Sequence, residues 1–228
     1  MGQAVPPAIR AKLGLRTPQI RLRKPEKTTP SAPLSKVPEY RHRLPHFHRE
    51  DAHLFLTWRL HGSLPAKPPS HLSPTPGHAF VAADRALHRN RSGPQWLNDQ
   101  RIAHLLAQTI LAGHRERAFY ELDAWVIMPN HVHLLILPKV AVPEITRWLK
   151  GSTARRANQL LGHTGLSFWQ DESYDHWVRN TREFDQITAY IEENPVSAGL
   201  ATSMDLWPWS SASSVELTSA NLSRAEPS

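Results

Sequence analysis

The sequence contains no cysteine, so disulfides and thiolate metal sites are excluded and any bound metal must rely on His, carboxylate, amide or phenolate groups. No window approaches the ~18 consecutive apolar residues that a spanning helix needs, and no apolar segment follows the charges at the N-terminus. Together these absences predict a soluble, non-exported, cytoplasmic protein. Acidic charge is in deficit, with 20 Asp and Glu against 27 Lys and Arg, a formal charge of +7. That balance favours a polyanionic partner held through phosphate contacts, with nucleic acid ahead of an anionic membrane surface. A length of 228 residues and a hydrophobic fraction of 40% suit one folded domain with tails.

Residues 1–49 are rich in Pro, Lys and Arg without a sustained hydrophobic period, and read as a disordered basic arm. A domain over 50–214 opens with "HLFLTWRLHG", whose alternation predicts a half-buried strand. A loop follows over about 63–96, long enough to be an insertion or a lid. Asn98 is placed to cap a helix over Asp99 to Ala112, with Gly113 as its stop. "YELDAWVIM" and "HVHLLILP" flank Pro129-Asn130 as an antiparallel hairpin. A second helix is predicted from Val142 to Leu161, then an irregular extended segment over "SFWQDESYDHWVRN". Asn180 and Glu183 have capping-box spacing ahead of a last helix that Pro195 should end. Trp207 and Trp209 are expected to pack back on the domain, and 215–228 reads as a disordered tail. This order predicts an α+β fold, an antiparallel sheet with helices mainly on one face in a ferredoxin-like arrangement.

"MPNHVHLLI" sets two histidines into an apolar run. On a strand, His131 and His133 project side by side while Val132 faces the opposite layer, so two imidazoles can chelate one ion. An isolated His-x-His is more often a hydrogen-bonded pair, and the motif alone is weak. In the last helix Tyr190 and Asn194 share a face bordering the Phe184, Ile187 and Ile191 stripe. A phenol with a pKa of about 10 needs a nearby cation to act as a nucleophile on phosphate, and the Asn194 amide can complete a metal set. Taken locally, Tyr190 can equally be a core-edge residue and Asn194 a helix cap.

"WVIMPNHVHLLI", "FWQDESYDHWVRN", "YIEENPVSAGL" and "WPWSSA", in this order, resemble the REP-associated tyrosine transposases, a bacterial branch of the single-tyrosine HUH transposases. The resemblance covers about His53 to Ser214. It implies the HUH-endonuclease fold, with His131 and His133 as metal ligands, Tyr190 as the nucleophile and Asn194 as the third metal-binding position. Related enzymes can carry Gln at that third position, so Asn keeps the amide and shortens its reach. Tyr174 competes as nucleophile, Glu193 is a reserve ligand, and His176 and Trp177 are expected to support the site.

The implied reaction is transesterification of single-stranded DNA, leaving a 5′-phosphotyrosine and a free 3′-hydroxyl. The cofactor would be Mg²⁺ or Mn²⁺, with neither ATP nor an organic cofactor. Partners would be single-stranded or hairpin DNA, the chain acting as a nucleoid-associated monomer or homodimer without a membrane partner. Arg147, Lys150, Arg155 and Arg156 on the second helix are the expected phosphate contacts. One alternative is a catalytically silent DNA-binding protein descended from such an enzyme. Another is a hydrolytic metalloenzyme in which Tyr190 has no task.

Overall fold

Branched and aromatic residues give strand β1 (Leu54–Leu60), which occupies an inner position of an antiparallel sheet. The computed structural model describes residues 52–64, 84–88 and 93–214. The predicted arm, the tail and most of the 63–96 loop lie outside these residues. The sheet also contains β2 (Tyr120–Ile127), β3 (His131–Pro138) and β4 (Trp169–Trp177), in the order β2-β3-β1-β4. Its helices are α1 (Gln100–Arg115), α2 (Val142–Leu161) and α3 (Thr181–Ser197). The fold is therefore α+β, with an antiparallel sheet as expected.

The two-residue period of the strands sorts their side chains into two cores. Leu54, Leu56, Trp58 and Leu60 of β1 and Val132, Leu134 and Ile136 of β3 pack with α1 and α2. Phe55, Ala124, Val126 and Leu135 point the other way, against Phe184 and Ile191 of α3. Two helices thus share one face and the third covers the opposite face. This two-sided cover explains why β1 is buried along nearly its whole length rather than half-buried: only Arg59 is not buried. The segment after α3 closes the β2 edge, where Ile127 N donates to Trp209 O (2.8 Å) and Trp207 Nε1 donates to Ile127 O (3.0 Å).

Helix ends follow side-chain chemistry, with three departures from the expected punctuation. Asp99, not Asn98, caps α1, its carboxylate accepting from Arg101 N at 2.9 Å. Gly113 lies inside that helix because a Cβ there would come within 2.6 Å of Tyr120 Cζ. The Tyr120 hydroxyl uses this space to donate to Ile110 O. Pro195 sits within the last turn of α3, which continues to Ser197 and closes through Ala198 N donating to Asn194 O. α2 runs over the predicted span and stops at Gly162, whose φ of 69° suits glycine.

At the start of α3, Asn180 Oδ1 accepts from Glu183 N while Glu183 accepts from Arg179 and from His176 Nε2. The Arg179 contact, partly opposed by desolvation, lowers the Glu183 carboxyl to about 2, below its ordinary 4.5. A depressed carboxylate stabilises the fold fully above the unfolded pKa and loses that contribution as pH falls toward the folded one. Thermal melts from pH 7 to pH 2.5 should therefore show the wild type converging on Glu183→Gln between about pH 4.5 and 2. A constant gap through that window would contradict this account of the cap.

Candidate functional site

The β2–β3 turn places the paired imidazoles. Asn130 is buried in that turn, its Nδ2 donating to Leu87 O at 3.1 Å, which orients the amide and leaves Oδ1 to accept from His131 Nδ1 at 2.7 Å. His133 Nδ1 shares a 2.8 Å hydrogen bond with Thr57 Oγ1 of β1. Both rings are fully buried on the α3 face, 4.7 Å apart between centroids, and His133 stacks on Phe55. With each Nδ1 engaged, the Nε2 atoms turn toward a common point.

That point is occupied by Asp84, the first of the described helical residues 84–88. Asp84 Oδ1 lies 3.2 Å from Nε2 of both His131 and His133, and Oδ2 accepts from the Tyr190 hydroxyl. His88, one turn later, stands over His131 and bonds Asn194 Oδ1 through Nε2 at 2.9 Å. The Asn194 Nδ2 group faces Asp84 Oδ2 at 3.5 Å and His133 Nε2 at 3.4 Å. α3 thus delivers Tyr190 and Asn194 from one side, β3 delivers the histidines from another, and the 84–88 turn fills the space between.

Charge and burial act strongly here. Burial opposes ionisation of Asp84, but the charges and hydrogen bonds of His133 and His131 outweigh it and hold the carboxyl far below its usual range. Burial lowers the pKa of His88 and His131 against the pull of Asp84. The pKa of the Tyr190 phenol is pushed well above its ordinary value, first by burial and then by the Asp84 charge.

A divalent cation fits this donor set. Donor atoms of Asp84, His88 and His131 all lie within 4.8 Å of one another. Asp84 Oδ1 and His131 Nε2 are buried and face each other at 3.2 Å. Two acceptors so placed call for a positive charge between them, and imidazole with carboxylate is a common set for such ions.

The four residues Tyr190, His131, His133 and Asn194 therefore meet. Glu193 is only half-exposed and adds no donor to the cluster. Tyr174 lies on the same sheet face but on β4, paired with Thr57, which in turn pairs with His133. His176 binds Glu183 at the α3 cap. Arg147, Lys150, Arg155 and Arg156 do not join the site, because α2 packs on the opposite sheet face. Arg147, Arg155 and Arg156 are exposed, whereas Lys150 Nζ donates to Gln170 O and Asp171 O, tying α2 to β4. Sequence reasoning missed Asp84 and His88. Their four-residue spacing in "ADRALH" is a helical metal-ligand spacing, but it is embedded in a segment without a hydrophobic period.

Residues 94–194 match the family described as transposase IS200 like. The matched stretch holds the histidine pair, Tyr190 and Asn194; Asp84 and His88 precede it. The REP-associated tyrosine transposase of Escherichia coli (strain K12) is 32% identical to the chain over 109 residues, 46% of this chain and 62% of that protein. The chain therefore spans less than two thirds of that relative's length. A solved structure of a REP-associated tyrosine transposase bound to a REP hairpin is 23% identical, with a TM-score of 0.45, over 76% of this chain and 82% of that one. Among the described residues no helix is long and apolar enough to cross a membrane.

Proposed function

We propose that the chain is a metal-dependent endonuclease and transposase of single-stranded DNA, cleaving and rejoining hairpin-associated DNA through a phosphotyrosine on Tyr190. The observation that carries this reading is the Tyr190 hydroxyl bonded to Asp84 beside the histidine pair. His131 and His133, with the Asn194 amide alongside, would hold Mg²⁺ or Mn²⁺. When bound, such an ion neutralises the scissile phosphate and favours ionisation of a nearby phenol.

The remaining steps belong to the chain's own groups. α3 holds the Tyr190 ring edge-on to Phe55 and to His133, aiming its oxygen into the cluster. That oxygen forms the bond to phosphorus as the bond to the 3′-oxygen breaks. The phenolic proton has an acceptor in place at Asp84 Oδ2, and the departing 3′-oxygen takes up a proton from solvent water to become a hydroxyl, the proton on Asp84 returning to solvent. The phosphotyrosine conserves the energy of the broken ester, so attack by a 3′-hydroxyl reverses the step and rejoins DNA.

Arg147, Arg155 and Arg156 are proposed to contact phosphates of the hairpin away from the cleavage site. The double variant Arg155→Ala/Arg156→Ala should weaken hairpin binding and flatten the dependence of log Kd on log salt by about 0.7–0.9 for each phosphate no longer neutralised. Fluorescence anisotropy at several salt concentrations measures this, and an unchanged slope removes the two arginines from the interface. The cleavage reading itself is tested by mixing the protein with labelled hairpin DNA and Mg²⁺ or Mn²⁺ and looking for a denaturation-resistant adduct. A silent DNA-binding protein would bind the hairpin and form none.

A further inference from the structure

We propose that Asp84 is the anionic ligand of the metal and, through its second oxygen, the residue that orients the Tyr190 hydroxyl, with Asn194 a positioning residue rather than a ligand. This rests on the metal-dependent reading above and changes which residues complete the site.

Donor spacing is the first argument. Atoms held about 2.1 Å from a common cation stand about 3.0 Å apart along an octahedral edge and about 3.4 Å apart along a tetrahedral one. Asp84 Oδ1 lies 3.2 Å from Nε2 of both histidines, within that interval on two edges. With the His131 Nδ1 proton directed to Asn130 Oδ1, the Nε2 atom that faces Asp84 Oδ1 at 3.2 Å is the ring nitrogen available to a cation.

The orientation of the neighbours is the second argument. The Leu87 carbonyl fixes the Asn130 amide, so Asn130 Oδ1 receives the Nδ1 proton of His131 and the Nε2 lone pair faces Asp84. A ligating histidine commonly has its other ring nitrogen held in this way. Asn194 is turned the opposite way to a ligand. Its oxygen accepts from His88, and its NH₂ group points toward Asp84 and His133. The acceptor-only carboxylate of Asp84 favours the NH₂ group on that side. Asn194 and His88 then brace each other and the 84–88 turn, while Asp84 spans the ion and the nucleophile.

The test is Mn²⁺ binding by the full chain without DNA, followed by the loss of the free-ion electron paramagnetic resonance signal. Asp84→Asn is expected to weaken binding at least tenfold, as His133→Ala should, whereas Asn194→Ala should stay within threefold and Tyr190→Phe should be unchanged. Wild-type affinity in Asp84→Asn, or a loss in Asn194→Ala equal to that in His133→Ala, overturns the assignment and leaves the metal-dependent reading intact. No Mn²⁺ binding by the wild type, with adduct formation persisting in EDTA, overturns both. Circular dichroism in EDTA checks folding. If Asp84→Asn is unfolded, Asp84→Glu takes its place: an affinity shifted at least threefold supports direct ligation, and an unchanged affinity overturns it.

Discussion

Tyr190→Phe is expected to reduce covalent adduct formation with hairpin DNA by on the order of 1,000-fold or more, because phenylalanine has no hydroxyl to form the ester. The substitution is mild for the fold. It removes one hydroxyl and its bond to Asp84 but keeps the ring contacts with Phe55 and His133. A single hydrogen bond contributes roughly 0.5–1.5 kcal/mol, so the variant should remain folded and bind DNA. Tyr174→Phe is the matched control. Tyr174 lies on the same sheet face, its ring 6.2 Å from that of Phe55, but its strand is separated from β3 by β1. It should retain adduct formation, and loss in Tyr174→Phe with retention in Tyr190→Phe would exchange the two roles. If the hydrolytic alternative held, Tyr190→Phe would leave cleavage nearly unchanged and no adduct would form in either protein.

His133→Ala is expected to abolish both metal binding and adduct formation, and to cost stability as well. The ring is fully buried, stacks on Phe55 and bonds Thr57. Its removal opens a cavity and strands the Thr57 hydroxyl, a combined cost of about 2–4 kcal/mol. The same substitution leaves Asp84 facing two imidazoles, His88 and His131, instead of three, with its carboxylate still buried. Thermal melts in EDTA isolate the structural cost, and melts with added Mn²⁺ report the site: the wild type should be stabilised by the ion and the variant should not. Equal Mn²⁺ stabilisation in both proteins would remove His133 from the ligand set.

The parts of this arrangement that were legible in the sequence are those with a regular period. The alternation in "HVHLLILP" put both imidazoles on one sheet face, and the four-residue spacing on α3 put Tyr190 and Asn194 on one helical face. α2 carries its own signals, Pro143 in the first turn and Gly162 at the stop, and its bounds follow them. Failure came where tertiary packing overrides local chemistry. The alternation in "HLFLTWRLHG" predicted a half-buried strand, but both faces of β1 are covered and the Thr57 hydroxyl is buried against His133. Gly113 resembled a stop signal, whereas its hydrogen side chain makes room for Tyr120. Pro195 lacks one helical donor, yet bonds on either side of it complete the turn.

Asp84 shows why the centre of the site could not be read from the sequence. An acid in a segment with no hydrophobic period gives no sign of burial, and only tertiary contact brings it between β3 and α3. The Asn130 side chain was likewise legible only as a turn residue. In the fold it anchors the 84–88 turn with one atom and orients His131 with another. The basic residues of α2 were legible as a charged helix face, but the strand period places them across the sheet from the histidines. Their proposed role is to hold the hairpin at a distance from the reacting phosphate.

Peptide mapping of the covalent adduct tests the central claim most directly. Wild-type protein incubated with hairpin DNA and Mn²⁺, then digested with nuclease and protease, should yield a single modified peptide carrying a 5′-linked nucleotide on Tyr190. A nucleotide on Tyr174, or cleaved DNA with no protein-linked nucleotide, would contradict it.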